Sequence, residues 1–263
     1  MRGVVLAAIA LGGFCNKPSV ASDAGEVSDA SSEASEPEEA APDASASASV
    51  SASVAPPSPS SPSASSVVKV GGTDPLEGKW TLADATKGLK GTGALLAHME
   101  TTRGPFDCHL YDDRAPNTVA NFVGLARGTR PWKTPDGTWV RRPAYDGTPF
   151  HRVIRGFIVQ GGDAKGTGMG DPGYTIADEI WPGATHNRAG LLCMANRGKN
   201  TNGAQFFLTD GAATHLDRGY TIFGECAPVE RIRDISNGPV LGDRAVSPVV
   251  IKSIAITREK PPR

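Results

Sequence analysis

Residues 150–163 read Phe-His-Arg-Val-Ile-Arg-Gly-Phe-Ile-Val-Gln-Gly-Gly-Asp. Two short runs of aromatic and β-branched side chains, 150–154 and 157–160, stand on either side of Arg155-Gly156, and a glycine pair closes the stretch. Such side chains fit a pleated surface, and glycine takes backbone angles that other residues resist, so the stretch reads as two successive strands bounded by turns.

The same rhythm continues outward. Further strands are expected at 94–102, 105–111, 190–194, 205–209, 221–224 and 249–257, which predicts a mostly β domain over residues 91–257. Eight antiparallel strands suit a closed barrel, the arrangement that leaves no sheet edge. Two segments break the rhythm with helical spacing. In 115–128, Val119, Phe122, Val123 and Ala126 recur at i, i+3, i+4 and i+7, with Pro116 near the start and Gly128 at the stop. In 228–238, Val229, Ile232 and Ile235 share one face. Each of these α-helices is expected to cap one mouth of the barrel. Between the first helix and the quoted stretch, residues 129–147 are polar and turn-rich and carry Trp132 and Trp139, which reads as a surface excursion or an extra hairpin.

The first 66 residues are of another kind. Arg2, the apolar run 4–11 and the small residues that follow make residues 1–15 an export signal, with an apolar run too short to span a bilayer. It resembles a bacterial lipoprotein signal with Cys15 as the acylated residue, although Phe14 stands where that pattern has a small residue; ordinary signal cleavage and a misplaced start codon are the alternatives. The implied location is the cell envelope, periplasmic or anchored at the outer membrane, with membrane contact only through that lipid. Residues 16–66 are dominated by Ala, Ser, Pro and acids and carry no aromatic side chain, a composition that cannot bury enough apolar surface to offset its ordering entropy. They are expected to be a disordered linker with an end-to-end distance of roughly 40 Å. Residues 67–90 form a lead-in to the domain and 258–263 a polar tail.

Eight acids and one base fall in 16–66, leaving 20 acids and 25 bases from residue 67 onward, a net charge of +5. That is too mild and too scattered for a nucleic-acid partner. The five histidines and four cysteines show no short ligand spacing, so no metal site is expected. With Cys15 set apart, Cys108, Cys193 and Cys226 allow one disulfide at most; three small buried hydrophobes are the equal alternative. Gly166-Thr-Gly-Met-Gly170 opens no helical pattern and lacks the lysine of a phosphate-binding loop.

The quoted stretch is similar along its whole length to the signature of the cyclophilins, the peptidyl-prolyl cis-trans isomerases. Three more blocks follow the family order: Ala115-Pro-Asn-Thr-Val-Ala-Asn-Phe-Val-Gly-Leu125, Met194-Ala-Asn-Arg-Gly-Lys-Asn-Thr-Asn-Gly-Ala-Gln-Phe-Phe207 and Leu216-Asp-Arg-Gly-Tyr-Thr-Ile-Phe-Gly224. The resemblance implies the family barrel, a cofactor-free isomerase and proline-containing polypeptides as partners. It implies Arg152 as the catalytic residue, donating to the prolyl nitrogen of a twisted amide. It implies an apolar proline pocket at Phe157, Ile158, Phe207 and Leu216, and amides at Gln160, Asn196 and Gln205 that hold the substrate backbone. His151, Ala195, His215 and Tyr220 complete the substrate-binding positions. His215 stands where many eukaryotic members have tryptophan and Tyr220 where many have histidine, and Arg197 adds a charge beside the groove that favours an acidic residue before the proline. The rival reading is a catalytically weak module that holds proline segments at the cell envelope.

Overall fold

The computed structural model describes residues 74–259. The export signal with Cys15, the linker, residues 67–73 and the last four residues of the tail lie outside them.

The lead-in carries a short helix, α1 (Leu82–Thr86). It starts in a capping box in which the Thr81 hydroxyl accepts from the Asp84 amide and the Asp84 carboxylate accepts from the Thr81 amide. The strands β1 (Ala94–Thr101) and β2 (Phe106–Leu110) follow, and then helix α2 (Pro116–Ala126). A two-stranded hairpin, β3 (Trp132–Lys133) and β4 (Trp139–Val140), precedes β5 (Arg152–Ile154), β6 (Ile158–Gly161), β7 (Leu191–Met194) and β8 (Phe206–Thr209). A 3-10 turn (Thr214–Leu216) leads to β9 (Ile222–Ala227) and helix α3 (Val229–Ser236). The chain ends in β10 (Val240–Leu241), β11 (Arg244–Ala245) and β12 (Ile251–Glu259).

Helix α2 has its proline at the first turn, and its predicted stripe Val119, Phe122, Val123 and Ala126 is buried. Phe122 is the centre of an aromatic cluster, with ring centroids 5.2, 5.6 and 5.3 Å from Tyr145, Phe206 and Phe223. The helix stops at Gly128, which has φ +69° and where a Cβ would lie 2.4 Å from the Arg142 carbonyl carbon, so only glycine fits. The helices cover the sheet, α2 against β12 and α3 against β5, β6 and β9.

The main sheet has ten strands in the order β10-β11-β5-β6-β8-β7-β9-β2-β1-β12, all paired antiparallel. The eight expected strands are present, but the expected closed eight-stranded barrel is corrected in two ways. The hairpin β10–β11 extends the sheet beyond β5. The seam between the start of β12 and residues 147–150 is an isolated bridge, Pro149 to Val250, and not a ladder. Pro149 has no amide to donate, so the seam rests on Gly147 N–H to Ile251 O (2.8 Å), Phe150 N–H to Val249 O (2.9 Å) and Ile251 N–H to Thr148 O (2.9 Å).

Of the cysteines left open by the sequence, Cys108 and Cys226 face each other across β2 and β9 and form a disulfide. Cys193 is a free, buried thiol, and burial pushes it well above the ordinary range for a thiol.

Candidate functional site

Alternation along the strands sorts side chains to the two faces of the sheet. On β6, Val159 enters the main core, while Ile158 and Gln160 face the other way. On β5, Val153 enters the core and Arg152 does not; on β8, Phe206 and Leu208 enter it and Phe207 does not. The residues turned away from the core build a second apolar cluster of Ile158, Leu191, Cys193, Phe207 and Ile222, with Phe157, Ala195, Leu216 and Tyr220 packed against it. A groove of about 1090 Å³ opens over this cluster.

Of the sequence-predicted residues, the groove is lined by His151, Arg152, Phe157, Ile158, Gln160, Ala195, Asn196, Gln205, Phe207, Leu216 and Tyr220. His215 is the exception. The 3-10 turn leaves it exposed, and its ring packs on Phe157 at 5.1 Å, so it meets the groove only through that side chain. Phe207 packs edge-on to Tyr220 at 5.7 Å, which shapes the apolar floor.

The polar wall is a relay of amides. Gln160 Nε2 donates to Gln205 Oε1 (3.0 Å), and Gln205 Nε2 donates to the carbonyls of Gly168 (3.0 Å) and Gly170 (2.8 Å). Arg197 Nη2 also donates to Gly168 O (3.2 Å). Asn196 Nδ2 donates to Gly219 O (2.9 Å), joining the segment after β7 to the turn before β9.

The carbonyls that hold Gln205 belong to a loop organised by Asp163. Its carboxylate accepts from the amides of Lys165 (2.7 Å), Thr167 (3.0 Å), Gly168 (2.6 Å) and Gly170 (3.2 Å). Burial pushes this carboxyl up, but the four amides outweigh it and hold the group below its ordinary value. His151 stands beside this loop, with a Cβ built on Gly168 only 3.4 Å from its Nε2. Burial pushes the His151 imidazole down against the opposing pull of Asp163, and neither ring nitrogen has a well-formed hydrogen bond among the described residues.

Three contributions escaped the sequence reading. Asp243 and Arg244, from the β10–β11 hairpin, line the groove, and Asp243 Oδ2 accepts from Arg152 Nε at 2.8 Å. Leu241-Gly-Asp-Arg, a turn between α3 and the last strand, was the available signal. The Asp163 cradle was foreshadowed by glycines at 166, 168 and 170 after an acid. Tyr174, also on the wall, stacks on Trp139 with centroids 6.4 Å apart and lies over the Arg130 guanidinium at 3.9 Å. The excursion 129–147 is thus a hairpin behind the groove, and Lys133 N–H donates to Pro172 O (2.9 Å) to hold it there. No group of three or more candidate metal ligands occurs among the described residues.

A family model described as cyclophilin type peptidyl-prolyl cis-trans isomerase/CLD matches residues 96–256. The chain is 48% identical over 166 residues to peptidyl-prolyl cis-trans isomerase A of Mycobacterium tuberculosis, covering 61% of this chain and 91% of that protein. It is 44% identical over 169 residues to peptidyl-prolyl cis-trans isomerase B of Streptomyces anulatus, covering 62% of this chain and 96% of that one. A crystal structure of a cyclophilin type isomerase from Cryptosporidium parvum, obtained in the presence of the dipeptide Ala-Pro, superposes with a TM-score of 0.55 at 31% identity, over 62% of this chain and 99% of the other. Strand order, groove and relatives converge, and the chain belongs to the family of cyclophilin-type peptidyl-prolyl cis-trans isomerases.

Proposed function

We propose that the domain accelerates rotation about X-Pro bonds in proline-containing polypeptides, with Arg152 as the catalytic residue. Rotation must cross a barrier of roughly 18–20 kcal/mol, because the amide C–N bond is partly double. No bond breaks, so the site needs only to bind the twisted amide better than either planar form. Twisting releases the lone pair of the prolyl nitrogen, and a guanidinium donor placed there acts only on the transition state.

The single observation that carries the reading is the Arg152 guanidinium at the edge of an apolar pocket. Arg152 lines the groove with Ile158, Phe207 and Leu216, and its Nη1 and Nη2 have no hydrogen-bond partner among the described residues. In this reading Phe157, Ile158, Phe207 and Leu216 take the prolyl ring, and Gln160, Asn196 and Gln205 hold the flanking backbone. His151, Ala195 and Tyr220 form the rim, and Arg197 selects an acidic residue before the proline. The Ala-Pro dipeptide named with the Cryptosporidium relative supports proline peptides as the substrate class.

The location is proposed from the sequence: residues 1–15 direct export, Cys15 carries the lipid, and residues 16–66 tether the domain to the cell envelope. The Cys108–Cys226 bond supports an oxidising compartment. The substrates would then be exported proteins.

The test follows isomerisation of a short X-Pro peptide by exchange NMR, with the wild-type chain beside Arg152→Ala. Losing one preorganised donor is expected to lower kcat/KM by about tenfold or more. A folded wild-type chain that gives no acceleration would favour a module that only holds proline segments.

A further inference from the structure

We propose that Asp243 is a positioning residue for Arg152, holding the guanidinium by its Nε edge so that both Nη groups face the groove. The inference rests on the isomerase reading of that groove.

Arg152 is long, and its side chain is 40% exposed, so by itself it would sample many rotamers and spend little time where a substrate needs it. Among the described residues, no other polar side chain of the groove hydrogen-bonds to it. Gln160, its register partner across β5 and β6, donates its Nε2 to Gln205, and its Oε1 takes no bond from Arg152. The restraint comes from the far end of the chain. Asp243 Oδ2 accepts from Arg152 Nε at 2.8 Å. The backbone carbonyl of Asp243 accepts from Val153 N–H at 2.7 Å, and Arg244 is in register with Arg152. Side chain and main chain of one residue therefore both grip the strand that carries the guanidinium.

A guanidinium is planar, with its five N–H donors in a rigid fork. Fixing the Nε–H sets the plane, and with it the direction of the four remaining donors. The carboxylate takes none of these, so the clamp does not consume the groups that catalysis uses. Arg152 in return holds the Asp243 carboxyl below its ordinary value. At 56% side-chain exposure, Asp243 makes a surface ion pair that adds little to stability. Its effect is expected on the reaction and not on the fold.

A double-mutant cycle tests this in the full chain, with kcat and KM measured on one X-Pro peptide for wild type, Asp243→Ala, Asp243→Asn, Arg152→Ala and Arg152→Ala/Asp243→Ala. Asp243→Ala is expected to lower kcat by about five- to tenfold with KM nearly unchanged, the pattern of an interaction felt in the transition state. Asp243→Asn keeps an oxygen acceptor of the same shape and is expected to stay within about threefold of wild type. On the Arg152→Ala background, Asp243→Ala is expected to change kcat/KM by less than about twofold, because the two act as a unit. Asp243→Ala activity equal to or above wild type overturns the proposal, as does an equal loss with and without Arg152. Should near-UV circular dichroism find the alanine variant unfolded, Asp243 supports the fold instead, and the proposal falls. A wild-type chain without activity would sink the isomerase reading itself, which is a different result.

Discussion

Gly170→Ala should disable the groove without touching any residue that meets the substrate's proline. A Cβ at this position would lie 1.8 Å from Asp163 Oδ1, and real Cβ contacts stay beyond 3.0 Å, so one partner must retreat by roughly 1.2 Å. Asp163 cannot yield cheaply: it is 1% exposed and held by four amides. If the loop moves instead, the 3.0 and 2.8 Å bonds from Gln205 to Gly168 O and Gly170 O stretch to about 4 Å and are lost. Two neutral hydrogen bonds at about 1 kcal/mol each give about 2 kcal/mol, which is about 30-fold if it all falls on kcat/KM. Gln205 would then be free to turn from Gln160, so much of the loss should appear in KM. The melting temperature should fall by about 4–8 °C for the same energy in a domain of this size. Peptide isomerisation by exchange NMR and thermal denaturation by circular dichroism measure both. Lys165→Ala is the control, since that side chain is exposed on the same loop and does not line the groove. If Gly170→Ala keeps kcat/KM within twofold of wild type, the loop does not support Gln205 and the reasoning fails.

Two further outcomes concern stability. Cys108→Ser/Cys226→Ser opens a link between residues 118 apart, for which the loop-entropy estimate is about 5 kcal/mol; urea denaturation should approach this value, and a difference below about 1 kcal/mol would refute it. His151 titrates lower in the folded chain than its ordinary 6.5, so the unfolded chain takes up the proton first and stability falls as pH drops below about 6.5. His151→Gln should flatten that slope in denaturation curves below about pH 6.5, while the loss tied to the depressed Asp163 stays at lower pH.

What the sequence made legible is whatever repeats over short distances. Strands β1, β2, β7 and β8 end close to their expected limits because alternation or unbroken apolar runs mark them. Helix α2 was visible from one apolar stripe, a proline and a glycine. β9 runs on to Ala227, past its expected end, where Cys226 pairs with Cys108, a contact that no local pattern encodes. The two-residue strands β10 and β11 are too short to show a period, so the Arg152 to Asp243 contact, 91 residues apart, was invisible. The groove residues came from motif blocks and not from periodicity. Ile158 and Phe207 look like any core residue until the sheet shows which face they take.

The hairpin of Trp132 and Trp139 ends as more than an ornament on the surface. Trp139 backs Tyr174, and a Cβ at Gly173 would strike both Lys133 Cβ (2.7 Å) and Trp139 (2.9 Å). For protein engineers this makes residues 129–147 a poor splice site. A shortened loop grafted from a relative would leave the groove wall without its backing, and a designer who trimmed it as a neutral appendage would meet the consequence in substrate affinity.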